Sequence, residues 1–284
     1  MRKLLTLAAL GTLGLGFSQD FNISVAPYFT YINYSGSGVK KNGYVGTLVT
    51  TLSLNYGKDI FSFGYAYTHL NYKKNYGSWN QNDYTFSYTT YNFYPWIFTV
   101  GYHYEKSPNN DFSRTGNIPF AYVGYSKRYA WDAGAFVSYS SYKQGVAAFE
   151  TRLLGGFYRW QDYYSGFYYG GDLTWISVKG TDTLGTSKKN YYSVGGSITY
   201  FRLGKYSVTG KAWIGQRILM VDSGGFVVYN LKERYSMGAQ ISGRYYLNKR
   251  LSVNGILGYS HYKEVETNDN VDVYTITVSI GYSF

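Results

Sequence analysis

From Phe21 to Phe284 the chain alternates apolar and polar residues with a period of two. The alternation runs in units of about 10 to 16 residues, each ended by Gly, Asn, Asp, Ser or Lys. In one unit Phe61, Phe63, Tyr65 and Tyr67 share a face opposite Ser62, Gly64, Ala66 and Thr68. In another, Trp96, Phe98, Val100, Tyr102 and Tyr104 oppose Thr99, Gly101, His103 and Glu105. The pattern predicts strands at 21–34, 44–56, 60–72, 82–92, 96–105, 118–126, 131–141, 146–158, 163–178, 190–201, 206–219, 226–246, 251–262 and 271–284. Pro119 and Pro95 blur the register around 118–126, so twelve strands is the alternative to fourteen.

The connections alternate too. Short links at 57–59, 93–95, 127–130, 159–162, 202–205 and 247–250 take turns with longer polar links at 35–43, 73–81, 106–117, 179–189 and 263–270. Tighter ones are expected near 142–145 and 220–225. Aromatic pairs flank the short links: Tyr56 and Phe61, Tyr94 and Trp96, Tyr129 and Trp131, Trp160 and Tyr163. Short turns on one side, longer loops on the other and a belt of aromatic rings are what a transmembrane antiparallel up-and-down β-barrel requires. An even strand number then puts both ends of the barrel on the short-turn side.

The first residues set the compartment. Arg2 and Lys3 precede an uncharged apolar run from Leu4 to Phe17, and Gly16 and Ser18 occupy the −3 and −1 positions before Gln19. This is the layout of a cleaved secretory signal peptide over 1–18, leaving 19–284 as a single barrel domain. The run is too short for a spanning helix, and no later segment approaches the roughly 20 apolar residues one needs. Composition agrees: 37 Tyr, 34 Gly and 6 Trp stand against 4 Pro and no Cys, which favours strands and turns and removes thiolate chemistry. Net charge is +11, and without Arg2 and Lys3 the remaining 25 basic and 16 acidic residues give +9. For an exported chain with no nucleic-acid motif, that excess suits anionic lipid or an anion-attracting interior.

The last strand carries a resemblance. Tyr274, Ile276, Val278, Ile280, Tyr282 and Phe284 share one face, and Phe284 is the final residue. This resembles the C-terminal strand of bacterial outer-membrane β-barrels, in which a terminal Phe and the alternating aromatics before it are read by the barrel-assembly machinery. In length and strand number the chain is similar to monomeric porins of about fourteen strands. The resemblance implies residence in the cell outer membrane among its lipids. It also implies passive diffusion of small hydrophilic solutes or ions, with Tyr282 and Phe284 as the assembly signal.

Candidate chemistry is thin. His69, His103 and His261 are the only His, and none has a Ser at His-x-Ser spacing or an adjacent Asp. A lipase-type enzyme is therefore not expected, and an omptin-type one would need an Asp–His couple formed between strands. No cofactor is expected, and no metal, because the His lack ligand spacing. Glu264, Glu266, Asp269 and Asp272 read as a solvated loop. The informative charges share parity with the small polar rows: Glu150, Arg152, Asp172, Lys211, Arg234 and Arg244. An Arg or Lys facing lipid at the midplane costs roughly 2–4 kcal/mol, so these six are expected to line the lumen. Their basic excess predicts a modest anion preference. The alternatives are a salt-bridge network that closes the lumen of a structural barrel and, further off, a barrel enzyme acting on lipid.

Overall fold

The computed structural model describes residues 21–73, 77–108, 112–265 and 267–284; the signal-peptide segment 1–18 lies outside them. Fourteen strands close an antiparallel barrel: β1 Phe21–Ser35, β2 Lys40–Leu54, β3 Asp59–Tyr72, β4 Ser78–Thr90, β5 Trp96–Lys106, β6 Thr115–Lys127, β7 Trp131–Tyr142, β8 Ala147–Trp160, β9 Ser165–Lys179, β10 Asn190–Arg202, β11 Tyr206–Arg217, β14 Glu233–Tyr246, β15 Leu251–Glu264 and β16 Asn270–Ser283. Two short strands, β12 Val221–Asp222 and β13 Val227–Val228, form a separate hairpin between β11 and β14. β1 pairs with β16, and the Phe284 amide donates to the Ile23 carbonyl at 2.9 Å. The twelve-strand alternative is thereby excluded. β6 is a full member of the wall, and Pro119, opposite Tyr102, sits on its outward row.

The wall is inside out relative to a soluble barrel. Phe29, Phe63, Val100, Leu153, Ile198, Ile241, Leu257, Val278 and Ile280 are all exposed on its outer face. An apolar band this continuous is stable only in lipid. Aromatic rings gather at the short-turn rim, where Trp96 meets Tyr125 edge-on and Tyr125 stacks on Trp131, with centroids 5.3 Å apart at each step. Val278→Arg is expected to destabilise the inserted fold by roughly 2–4 kcal/mol. Ser197→Arg, on the inward row of β10 and opposite Lys211, is expected to cost much less. Urea titration of the barrel in lipid vesicles measures both, and equal costs would invert the face assignment.

Two departures from the sequence reading reshape the interior. The segment expected as one strand over 226–246 begins only at Glu233, and the link expected to be tight near 220–225 runs from 218 to 232. Its apolar run Ile218, Leu219, Met220 and Val221 has no strand parity and would be stranded in water at the rim. It folds into the barrel instead, where all four residues are buried. The second departure is a bulge in β14: register shifts between Tyr235 and Met237. The extra residue reverses the alternation above it, so Arg234 pairs with Lys263 on the outward face while Glu233 and Tyr235 point in. The lumenal placement expected of Arg234 is therefore wrong.

Candidate functional site

The lumen divides into two halves. On the short-turn side the inward rows carry small polar residues such as Thr51, Ser62, Thr99 and Thr209, with the rings of Tyr122 and Tyr168 lying over inward glycines and with Gln240 and Arg244 exposed. On the loop side buried apolar residues join buried polar and charged ones on the inward rows. Ile118, Phe120, Phe136, Ile176, Val178 and Tyr191 close around the segment 218–221, with Leu184 from the one-turn helix Thr181–Leu184 above them. Across the lumen Tyr235, Tyr262, Val271 and Val273 form a second cluster, joined to the segment by Tyr229. The inner loop therefore spans the barrel and is gripped on both sides.

Charges fix the grip. Asp222, on the inner loop, lies 3.1 Å from Arg152 and 3.8 Å from Lys211. Arg152 also pairs with Glu150 at 2.5 Å and donates to the Val221 carbonyl, while Glu150 accepts from the Val221 amide at 2.8 Å. Arg217 lies over the Trp213 ring at 4.0 Å, donates to Ser193 at 2.7 Å and reaches Asp172 at 3.4 Å. On the far side the Asn230 amide donates to Gln81, and the Gly225 carbonyl lies 2.8 Å from His103 Nδ1. The tip turns sharply at Ser223, Gly224 and Gly225, all at positive φ. Gly225 must be glycine on a second count, because a Cβ there would collide with the Phe120 ring.

Of the six residues expected to line the lumen, five face it: Glu150, Arg152, Asp172, Lys211 and Arg244. Glu150 and Arg152 are buried in the ion-pair network, and Asp172 is held by Arg217. Lys211 keeps about a third of its side-chain surface exposed. Arg244 is exposed and donates to Asn254 at 2.6 Å. Lys40, within the polar link expected at 35–43, and Glu264, read from sequence as part of a solvated loop, are both buried: Lys40 sits 2.5 Å from Glu233 and 2.9 Å from Glu264, over the Tyr262 ring. Arg217, Glu233 and Asp222 were missed because bulges and the inner loop break the parity on which face assignment rests. At the outer rim Asp269 accepts from the Gly38 amide at 2.8 Å and from Thr267, which holds its carboxyl below the usual range. That tie between the first and last outer loops is present at neutral pH and is lost as pH falls through the depressed value.

The His residues differ in their partners, and Thr85 Oγ1 lies 2.8 Å from His103 Nδ1. His69 bonds Asn80 and Asn71, and His261 bonds Asp272, all on the outward face. His103 faces inward beside Asp83 and Glu105.

No family model and no curated protein matches the chain. Solved structures do. The CymD monoaromatic hydrocarbon channel matches with a TM-score of 0.59 at 8% identity, over 94% of this chain and 89% of its own. A Pseudomonas aeruginosa FadL homologue gives 0.52 at 8% identity, over 93% and 90%. A bacterial polysaccharide outer membrane secretin gives 0.50 at 11% identity, over 94% and 99%. At such identities the likeness is one of fold: a closed antiparallel barrel of the kind found in the bacterial outer membrane.

Proposed function

Taking the chain as a barrel of the bacterial outer-membrane type, we propose that it is a passive channel for small hydrophilic solutes or ions, constricted by the inner loop 218–232. The observation that carries this reading is the polar, solvent-exposed half-lumen that leads up to one loop. At fourteen strands the interior exceeds what its small inward side chains fill, so the space is left to water. The neighbours named as channels support a transport role in general terms. The channel reading gives no catalytic role to His69, His103 or His261. The outward apolar band meets outer-membrane lipid, and Tyr282 with Phe284, whose rings lie 4.9 Å apart, is the segment offered to the assembly machinery.

The proposed selectivity is a modest preference for anions, carried by Lys211 and Arg244 rather than by the buried ion pairs. Asp132 is the inward acid of the same half, hydrogen bonded to Tyr168 at 3.0 Å. Positive charge in a confined space raises local anion concentration, and salt screens it: the Debye length falls from about 10 Å at 0.1 M to about 3 Å at 1 M. In planar bilayers under a salt gradient, Lys211→Met with Arg244→Met should move the reversal potential toward cation preference, more at low salt than at high. Arg234→Met should leave it unchanged. A wild type that already favours cations would overturn the selectivity. A barrel that never conducts, even with the inner loop shortened, would favour the second reading, a structural barrel, for which the packed outer half is the specific observation.

A further inference from the structure

We propose that Asp83, His103 and Glu105 form a binding site for one divalent transition-metal ion, with Zn²⁺ as the representative. The register of β4 and β5 builds it. Asp83 pairs directly with Glu105, and His103, two residues before Glu105 on the same inward row, pairs with Thr85. All three residues are buried, and their ligand atoms lie within 4.8 Å of one another. Two carboxylates placed directly opposite across a sheet repel, and a cation between them turns that repulsion into attraction.

The imidazole says where that cation sits. His103 Nδ1 lies 2.8 Å from the Gly225 carbonyl, an oxygen that can only accept, so Nδ1 carries the ring proton; Thr85 Oγ1 shares that edge at 2.8 Å. Nε2 then presents its lone pair to the carboxylates. A His whose far nitrogen donates to a backbone carbonyl is the arrangement in which metal-ligating imidazoles are held. Nε2 lies 3.3 Å from Asp83 Oδ1. Two ligands at about 2.1 Å from one tetrahedral zinc are about 3.4 Å apart, so this separation is the span of a shared metal as well as of a long hydrogen bond. All separations in the cluster are within 4.8 Å, so none exceeds that span by more than about 1.4 Å. The Gln81 amide donates to Asp83 Oδ1 at 2.6 Å and reaches Glu105 Oε2 at 3.5 Å, so it ties the two carboxylates to each other. One imidazole and two carboxylates suit Zn²⁺ or its first-row neighbours, with water completing the shell.

The site touches the inner loop through Gly225, so the bound ion pins the loop tip to the wall. The test uses the whole mature barrel refolded in detergent, equilibrated against Zn²⁺ and dialysed, with metal measured by mass spectrometry. One zinc per chain is expected in the wild type and in the His69→Ala/His261→Ala double variant, with none in His103→Ala and clearly weaker binding in Asp83→Asn. Should His103→Ala not fold, the ring nitrogen resonances of the wild type decide. Zinc should shift those of His103 and leave His69 and His261 in place. Uptake that survives loss of His103, or His103 signals indifferent to saturating zinc, would overturn the proposal. Neither readout depends on conductance, so this site and the channel reading fail separately.

Discussion

Replacing the segment 218–232 by a short Asn-Gly turn is expected to convert a small or intermittent conductance into a large and steady one. The loop is the element that crosses the lumen. Its apolar base packs against Ile176, Val178 and Tyr191, its tip against Phe120, and its far end against Tyr235 and Tyr262 by way of Tyr229. Its removal leaves the fourteen-strand ladder intact, since β11 and β14 pair with each other through ten registered positions. It also leaves the apolar residues that gripped the loop without a filling. Single-channel recording of wild type and deletion in the same bilayer, with strand content checked by circular dichroism, measures the change. Equal conductance would mean that the current does not pass the loop.

Arg152→Met is the second large effect. The guanidinium stands between Glu150 and Asp222 and also holds the Val221 carbonyl, with 8% of the side chain exposed. Removing one partner of a buried pair leaves the other charged and poorly solvated, a loss of about 3–5 kcal/mol. Here the cost falls on Glu150, which is 1% exposed. The same substitution releases Asp222 from one of its two cations, so the inner loop should open more often as the barrel weakens. Urea midpoints of the vesicle-inserted protein should drop for Arg152→Met and stay near wild type for Arg244→Met. Adding Glu150→Leu to Arg152→Met should recover much of the loss, because no buried carboxylate then remains unpaired at that position. If the double substitution is no better than the single one, the destabilisation does not come from the uncompensated charge.

The wall was legible in the sequence because period-two alternation in lipid admits few exceptions. Tyr65, Trp96, Phe157 and Val278 each declare their face, and the short turns fall where aromatic pairs flank them. The interior was legible only where parity survives. Glu150, Arg152, Asp172, Lys211 and Arg244 are found by counting twos along unbroken strands. Arg234 was misplaced by one bulged residue, and Lys40 was misread because its partners, Glu233 and Glu264, are brought to it by strands far along the chain. The inner loop left a trace in Ile218–Val221, four apolar residues in succession where alternation should hold, which strand extension absorbed by mistake. His103 beside Glu105 was visible as an inward pair, but Asp83 joins them only through the β4–β5 register, which a single strand does not reveal.

Barrel closure has a consequence for the order in which the chain folds. Thirteen of its fourteen pairings join strands that follow one another along the wall, so each forms with a short chain excursion. The remaining one sets Ser24 opposite Ser283. That contact carries the longest loop closure in the molecule, and contacts of such separation form slowly. Until it forms, β1 and β16 are open edges of 15 and 14 residues, each a template for pairing with a stranger. The Phe284 amide, which completes the seam at Ile23, is then among the last hydrogen bonds to be made. Kinetic vulnerability thus concentrates in one seam, and whatever shelters that seam during insertion governs the yield of finished barrels.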